Sequence, residues 1–178
     1  GLTTGTCATA AAIAATIRLI KSEMPKEVPV MLPDGETIMV AVDYGEDYAY
    51  CTNEAGDDPD VTNGIEVRAK VIASDNHGLT RTDPICAEKE VRNSPQKSVA
   101  IYGGEGVGRF TLPGFDYPPG EAAINKAPRE MIRHNLQTIL SPLTSHLLPL
   151  KVTISVPDGE EIARRMFNPR LGIEGGIL

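Results

Sequence analysis

Four glycines in six positions, Gly103, Gly104, Gly106 and Gly108, followed at once by Arg109, are the residues of this chain best suited to approach an anion closely. Glycine reaches positive φ and carries no Cβ, so successive N–H groups can converge on one oxygen, and the Arg109 guanidinium adds a fork for a carboxylate or phosphate. The spacing G-x-G-x-G fits neither the dinucleotide fingerprint G-x-G-x-x-G nor the phosphate-loop pattern G-x-x-x-x-G-K-[ST]. A plain turn or bulge therefore stands beside a ligand loop as a reading of this stretch. Asp57, Asp58 and Asp60 crowd three carboxylates into four positions. They lack the spacing of a calcium loop and have no histidine nearby, so no metal site of the protein's own is expected. Pro59, Asn63 and Gly64 favour a solvated turn there, while a carboxylate in such a turn can also hold ribose hydroxyls or an amino group.

Other nucleophiles and bases are scattered. His77, His134 and His146 fall on different predicted elements, and no Ser-His-Asp or Cys-His constellation has support. Cys7, Cys51 and Cys86 are odd in number and form no C-x-x-C pair, which argues against a disulfide framework or a zinc site and fits a reducing cytoplasm.

The elements that must position these groups follow from pattern. Thr6 reads as the N-cap of a helix over residues 7–21, with Ile13, Ile17 and Ile20 at i, i+4 and i+7 and alanines permitting close packing. Its free N–H groups, beside the hydroxyls of residues 3–6, suit an anion, although an ordinary capped helix explains them too. Cys7, in its first turn, is placed either to gain a lowered pKa or simply to be small. Residues 28–32 and 37–42 flank Pro33-Asp34-Gly35-Glu36 and read as a β-hairpin. Residues 61–73 alternate Ile65, Val67, Ala69 and Val71 with Glu66, Arg68 and Lys70, the mark of a half-buried strand. Residues 98–102 form a further strand feeding the glycine loop, and 152–156 another, followed by a second P-D-G-E and a helical pattern over 161–166.

Pro113, Gly114, Pro118, Pro119 and Gly120 make residues 111–127 a long connection. Pro128 then opens a helix whose Ile132, Leu136, Ile139, Leu140 and Leu143 form an apolar stripe. Arg129 and Arg133, four apart on another face, are set either to grip one anion together or to be solvated. Strands and helices without regular βαβ alternation indicate an α+β fold with a mixed sheet packed with helices.

The chain has 178 residues, 41% of them hydrophobic, enough for the core of one domain spanning 1–178. Its net charge of −7 disfavours nucleic-acid binding. No apolar run is long enough for a membrane helix, and the apolar stretch 8–20 lacks the basic flank of a signal peptide. Oligomeric state is not readable.

Four blocks in order, TTGTCA at 3–8, AGDDPDVT at 55–62, GGEGVGR at 103–109 and PDGEEIA with FNPRLGI at 157–163 and 167–173, resemble the CbiD family of cobalt-precorrin-5B C1-methyltransferases in anaerobic cobalamin biosynthesis. The resemblance implies methyl transfer from S-adenosylmethionine to C1 of a cobalt-precorrin, a macrocycle fringed with carboxylates. It implies an α+β first part similar to ribosomal protein S5 domain 2. It also implies a second, Rossmann-like region following the Gly175-Gly176 pair, largely absent here, so that the chain reads as cut at its C-terminal end. On the matched blocks, cofactor contacts are sought at Thr4, Thr6, Asp57 and Asp58. Substrate contacts are sought at Gly104, Gly106, Gly108, Arg109 and Arg170, with cobalt arriving inside the substrate. Methyl transfer to an electron-rich carbon needs alignment and desolvation more than a strong base, so no catalytic residue is singled out. A phosphate-binding enzyme of the small-molecule kinase type and a non-catalytic corrinoid-binding or assembly module are the other classes open to this sequence.

Overall fold

A helix built largely of alanine occupies the centre of the protein. The computed structural model describes residues 3–53, 64–73, 99–110, 120, 122, 124, 126–140, 150–157 and 173–174. Helix α1, Thr4–Lys21, is buried on every side from Thr6 to Thr16, the mark of a helix surrounded by other elements rather than lying on a surface. Small side chains let four elements approach at once: strands β4 (Ala49–Asn53) and β5 (Ile65–Ala73) beneath it, helix α2 (Lys126–Ile139) beside it, and β1 (Glu27–Met31) of the hairpin. Three of its buried residues are polar, Thr6, Thr9 and Thr16. Thr9 and Thr16 donate their hydroxyls to the carbonyls of Gly5 and Ala12, each at 2.8 Å, so neither is buried unsatisfied. The helix stops at Ser22, which takes the left-handed conformation at φ 55° and returns its N–H to Arg18 O.

Its start corrects the sequence expectation. Thr3, not Thr6, is the N-cap: Thr3 Oγ1 accepts the Thr6 N–H at 3.0 Å and lies 2.8 Å from Thr6 Oγ1. The run Thr-Thr-Gly-Thr offers three hydroxyls, and the first of them has the extended backbone that a cap needs.

The main sheet has the order β3-β4-β5-β8-β6, with β3 Asp43–Tyr44, β8 Leu150–Ser155 and β6 Val99–Gly103. Every pairing is antiparallel except β6 with β8, which run parallel with Val99 opposite Leu150 and Gly103 opposite Ile154. The expectation of a mixed sheet is met, and α2 lies in the crossover between its two parallel strands. Period-2 alternation holds on β5 and β8: Ile65, Val67, Ala69 and Val71, with Leu150, Val152 and Ile154, are buried, while Arg68, Lys151 and Thr153 stand on the more exposed face. There Arg68 pairs with Glu66 and lies 4.5 Å from the Tyr48 ring centre. β1 and β2 (Thr37–Ala41) form the expected hairpin as a separate two-stranded sheet, its turn held by Gly35 at φ 89°. The expected helix over 161–166 lies outside the described residues.

The hairpin is fastened to α2 by one side chain. Asn135, 4% exposed, accepts the Met31 N–H at 2.8 Å and donates to Met31 O at 3.0 Å and Met131 O at 2.8 Å. The amide thus imitates a strand partner for the end of β1. Asn135→Ala is expected to cost about 2–3 kcal/mol in urea unfolding, because it strands buried backbone groups rather than merely deleting contacts. A loss below about 0.5 kcal/mol, the range of ordinary surface substitutions, would show that apolar packing alone docks the hairpin.

Candidate functional site

The glycine stretch begins as a continuation of the parallel ladder. Past the end of β6 the Gly104 N–H donates to Ile154 O at 2.7 Å, and Val156 N–H donates to Glu105 O at 2.7 Å, so the chain stays attached to β8 until it turns. The turn closes with Val107 N–H on Gly104 O at 3.2 Å, and Gly106 at φ 74° supplies the left-handed residue. Crowding explains two other glycines. A Cβ on Gly103 would fall 2.8 Å from Ala122 Cβ and 2.9 Å from Val107 Cγ1, and one on Gly104 would fall 2.6 Å from Ser155 Oγ. The Gly104 and Val107 amides are thus committed to backbone carbonyls, which gives this half of the loop the character of a clamped turn. Gly108 follows as a buried residue and Arg109 as an exposed one.

Arg109 and Phe110 form β7, paired antiparallel with Glu174 and Ile173 of β9, while Arg109 also bridges Ala122. The Arg109 side chain donates from Nη1 to Gly120 O at 3.0 Å. Ile173 closes the FNPRLGI block and Pro157 opens the PDGEEIA block next to Val156, so two separated sequence blocks end beside the glycine loop. Asp57, Asp58 and Arg170 lie outside the described residues.

The N-terminus of α1 reaches the same end of the molecule. A Cβ on Gly5 would lie 3.2 Å from Pro128 Cγ, in the first turn of α2; that helix starts at Lys126, two residues before Pro128, which was expected to open it. Thr3 and Thr6 line a cavity of about 470 Å³ with Pro33, Asp34 and Ile38 of the hairpin turn and Met131 of α2; Thr4 is not among its lining residues. It adjoins a second cavity of about 520 Å³, the two sharing Leu32, Pro33 and Met131, in which His134 and Met31 stand with Nε2 and Sδ 3.0 Å apart. This groove was not foreseen from sequence. It is built from residues about thirty to one hundred positions apart, distances that no local pattern bridges. The carboxyl ends of β6 and β8 and the N-termini of α1 and α2 therefore share one end of the fold.

Arg129 and Arg133 are neither a solvent-facing anion grip nor solvated. Arg129 is 1% exposed and donates Nε to Ile124 O at 2.7 Å and Nη2 to Ala122 O at 2.9 Å; Arg133, 8% exposed, directs Nε to Val99 O at 3.4 Å. A cation withdrawn from water has to recover its solvation from polar partners, and carbonyls of the segment entering α2 and of β6 are among them. Cys7 is likewise a packing residue. It is fully buried, and a hydrogen bond with the Cys51 thiol, followed by burial, pushes its own thiol far above the ordinary range, so it is no thiolate nucleophile.

Arg129→Met is expected to lower unfolding stability by about 3 kcal/mol, since it leaves buried carbonyls without donors, and Arg129→Lys is expected to recover only part because a point charge cannot span both. Chemical denaturation of the three proteins checks this, and equal stability of Arg129→Met would remove Arg129 as the tie.

The family model described as CbiD matches residues 1–178. A cobalt-precorrin-5B C(1)-methyltransferase of Brucella anthropi is 42% identical over 184 residues, and one of Moorella thermoacetica is 40% identical over 181 residues; each match covers 99% of this chain. These alignments occupy 44% and 43% of the relatives, so the chain spans less than half the length of the curated proteins it matches. Among solved structures, the crystal structure of the cobalamin biosynthesis protein cbiD from Archaeoglobus fulgidus superposes with a TM-score of 0.69 at 31% identity, covering 99% of this chain and 50% of that one. With ordered sequence blocks, whole-chain identity and fold in agreement, the chain belongs to the CbiD family.

Proposed function

We propose that this chain is the first part of a cobalt-precorrin-5B C1-methyltransferase of cobalamin biosynthesis, acting in the cytoplasm. The observation that carries the proposal is identity of about 40% over 99% of the chain with proteins bearing that name. We further assign residues 1–178 to one α+β domain of the ribosomal protein S5 domain 2 type, completed by the region that makes up the rest of the longer relatives.

When bound, S-adenosylmethionine supplies an electrophilic methyl group on sulfur. The chain's own task is then to hold two ligands in line and keep water away, which can account for large rate factors without a general base. Two features fit such a pair of ligands. Thr6 belongs to a cavity at the N-terminus of α1, and Arg109 presents an exposed guanidinium beside the glycine turn. Thr4 and Thr6 with Asp57 and Asp58 are assigned to the methyl donor. Gly104, Gly106, Gly108, Arg109 and Arg170 are assigned to the macrocycle, whose cobalt is substrate and not a resident metal. Among the described residues no group of three or more His, Cys, Asp or Glu is placed to hold a metal ion, and no helix is long and apolar enough to cross a membrane.

The test is transfer of an isotopically labelled methyl to cobalt-precorrin-5B, by the 178-residue chain beside a protein of the relatives' full length. Labelled product with the longer protein is expected, with cooperative unfolding of both and turnover by the short chain on the order of a hundredfold lower, because donor and acceptor lose alignment. No methylation by either folded protein would overturn the function, and equal turnover would overturn the need for the second region. In the longer protein, Arg109→Ala is expected to weaken macrocycle binding by about 1.5–3 kcal/mol through loss of a charged hydrogen bond. Unchanged affinity would remove Arg109 from the substrate site.

A further inference from the structure

The groove between the hairpin turn and the two helices is lined by acids, whereas Arg109 stands exposed at the end of the glycine turn. Its two adjoining cavities, about 470 and 520 Å³, fall in the range of small-molecule sites. Asp34 contributes a carboxylate to one and Glu130 to the other, and among the described lining residues none is lysine or arginine. The rest of the wall is largely apolar and flexible, with the thioethers of Met31 and Met131 beside Leu32, Pro33 and Ile38. Lys126 does not line it, and its ammonium is 3.9 Å from Glu130 in a pair whose partners are 63% and 57% exposed, too hydrated to neutralise the site. Asp34 spends one oxygen on the Glu36 N–H at 2.9 Å, which orients the carboxylate at the turn.

Such a wall selects by sign. A macrocycle fringed with carboxylates would meet two carboxylates and, among the described lining residues, no lysine or arginine, which is repulsive. A ligand with a net positive charge and an apolar body meets the reverse. Resting on the methyltransferase reading, we infer that this groove seats the sulfonium methyl donor, S-adenosylmethionine, with Asp34 and Glu130 facing its positive groups and Met31, Met131, Leu32 and Pro33 packing against its uncharged part. The two ligands of the reaction are thereby sorted: the cationic donor to the acid-lined groove, the polyanionic acceptor to the side of Arg109.

The experiment is carbon-13 methyl spectroscopy of the methionine-labelled chain, with the Met31 and Met131 resonances assigned by leucine replacement, during titration with S-adenosylmethionine. Met31 and Met131 are expected to shift while Met24 and Met39, both more than half exposed, do not. Asp34→Asn and Glu130→Gln, conservative changes at exposed positions, are each expected to weaken the donor's binding by about tenfold and to leave the melting temperature in place. S-adenosylhomocysteine, which lacks the sulfonium charge, is expected to bind more weakly than the donor and to lose less affinity in the two variants. Unmoved Met31 and Met131 at saturating donor, unchanged affinity in both variants, or equal shifts caused by a polycarboxylated corrinoid would each overturn the assignment. Donor bound with those methionines silent would sink the groove and leave methyl transfer standing. A donor seated in the groove of a full-length protein that methylates no precorrin would do the opposite.

Discussion

The guanidinium of Arg129 is the interaction on which this end of the fold depends. Fully buried in α2, it takes the carbonyls of Ala122 and Ile124, and Ala122 in turn bridges Arg109 and abuts Gly103. One cation thereby links the helix to the stretch that passes beside the glycine turn. The energetic logic is exchange: a buried charge must recover its lost hydration from polar partners, so the segment that offers it these carbonyls is held in place by the same cost. An apolar side chain of equal size would fill the volume without imposing any direction on the carbonyls.

Polar groups play a similar part elsewhere in the core. Asn135 fixes the end of β1, Thr9 and Thr16 satisfy themselves on their own helix, and the Cys7 thiol meets the Cys51 thiol. The apolar contacts of α1 are made mainly by alanines, whose smooth surfaces offer little resistance to sliding. Directional bonds at the borders of that packing fix positions that close packing alone leaves soft.

Sequence made the fold legible where one element's pattern sufficed. Alternation along Ile65, Val67, Ala69 and Val71 gave β5, Pro33-Asp34-Gly35 gave the hairpin, and the alanine run gave α1. It failed where the answer depended on a distant partner. Arg129 and Arg133 share a face that local periodicity marks as polar, and only carbonyls supplied by other segments make that face an interior one. For Gly103 and Gly104 the pattern left a turn and a ligand loop both open, and the neighbours that forbid them a side chain, Ala122 and Ser155, belong to other parts of the chain. The groove was invisible for the same reason, although the pairing of Thr3 and Thr6 with an acidic turn at Asp34 was present in the residue types.

The alanine helix has a consequence for how the protein is made. Synthesis runs from the N-terminus, so α1 emerges before every element that buries it, and α2 begins about a hundred residues later. At roughly 5–20 residues per second the nascent helix waits on the order of 5–20 s for α2, exposing a surface with little intrinsic affinity for water. Parallel pairing of β6 with β8 adds to the wait, because Val99 meets Leu150 only after the intervening crossover has been translated. The centre of the finished domain is therefore the part left longest without its partners during translation.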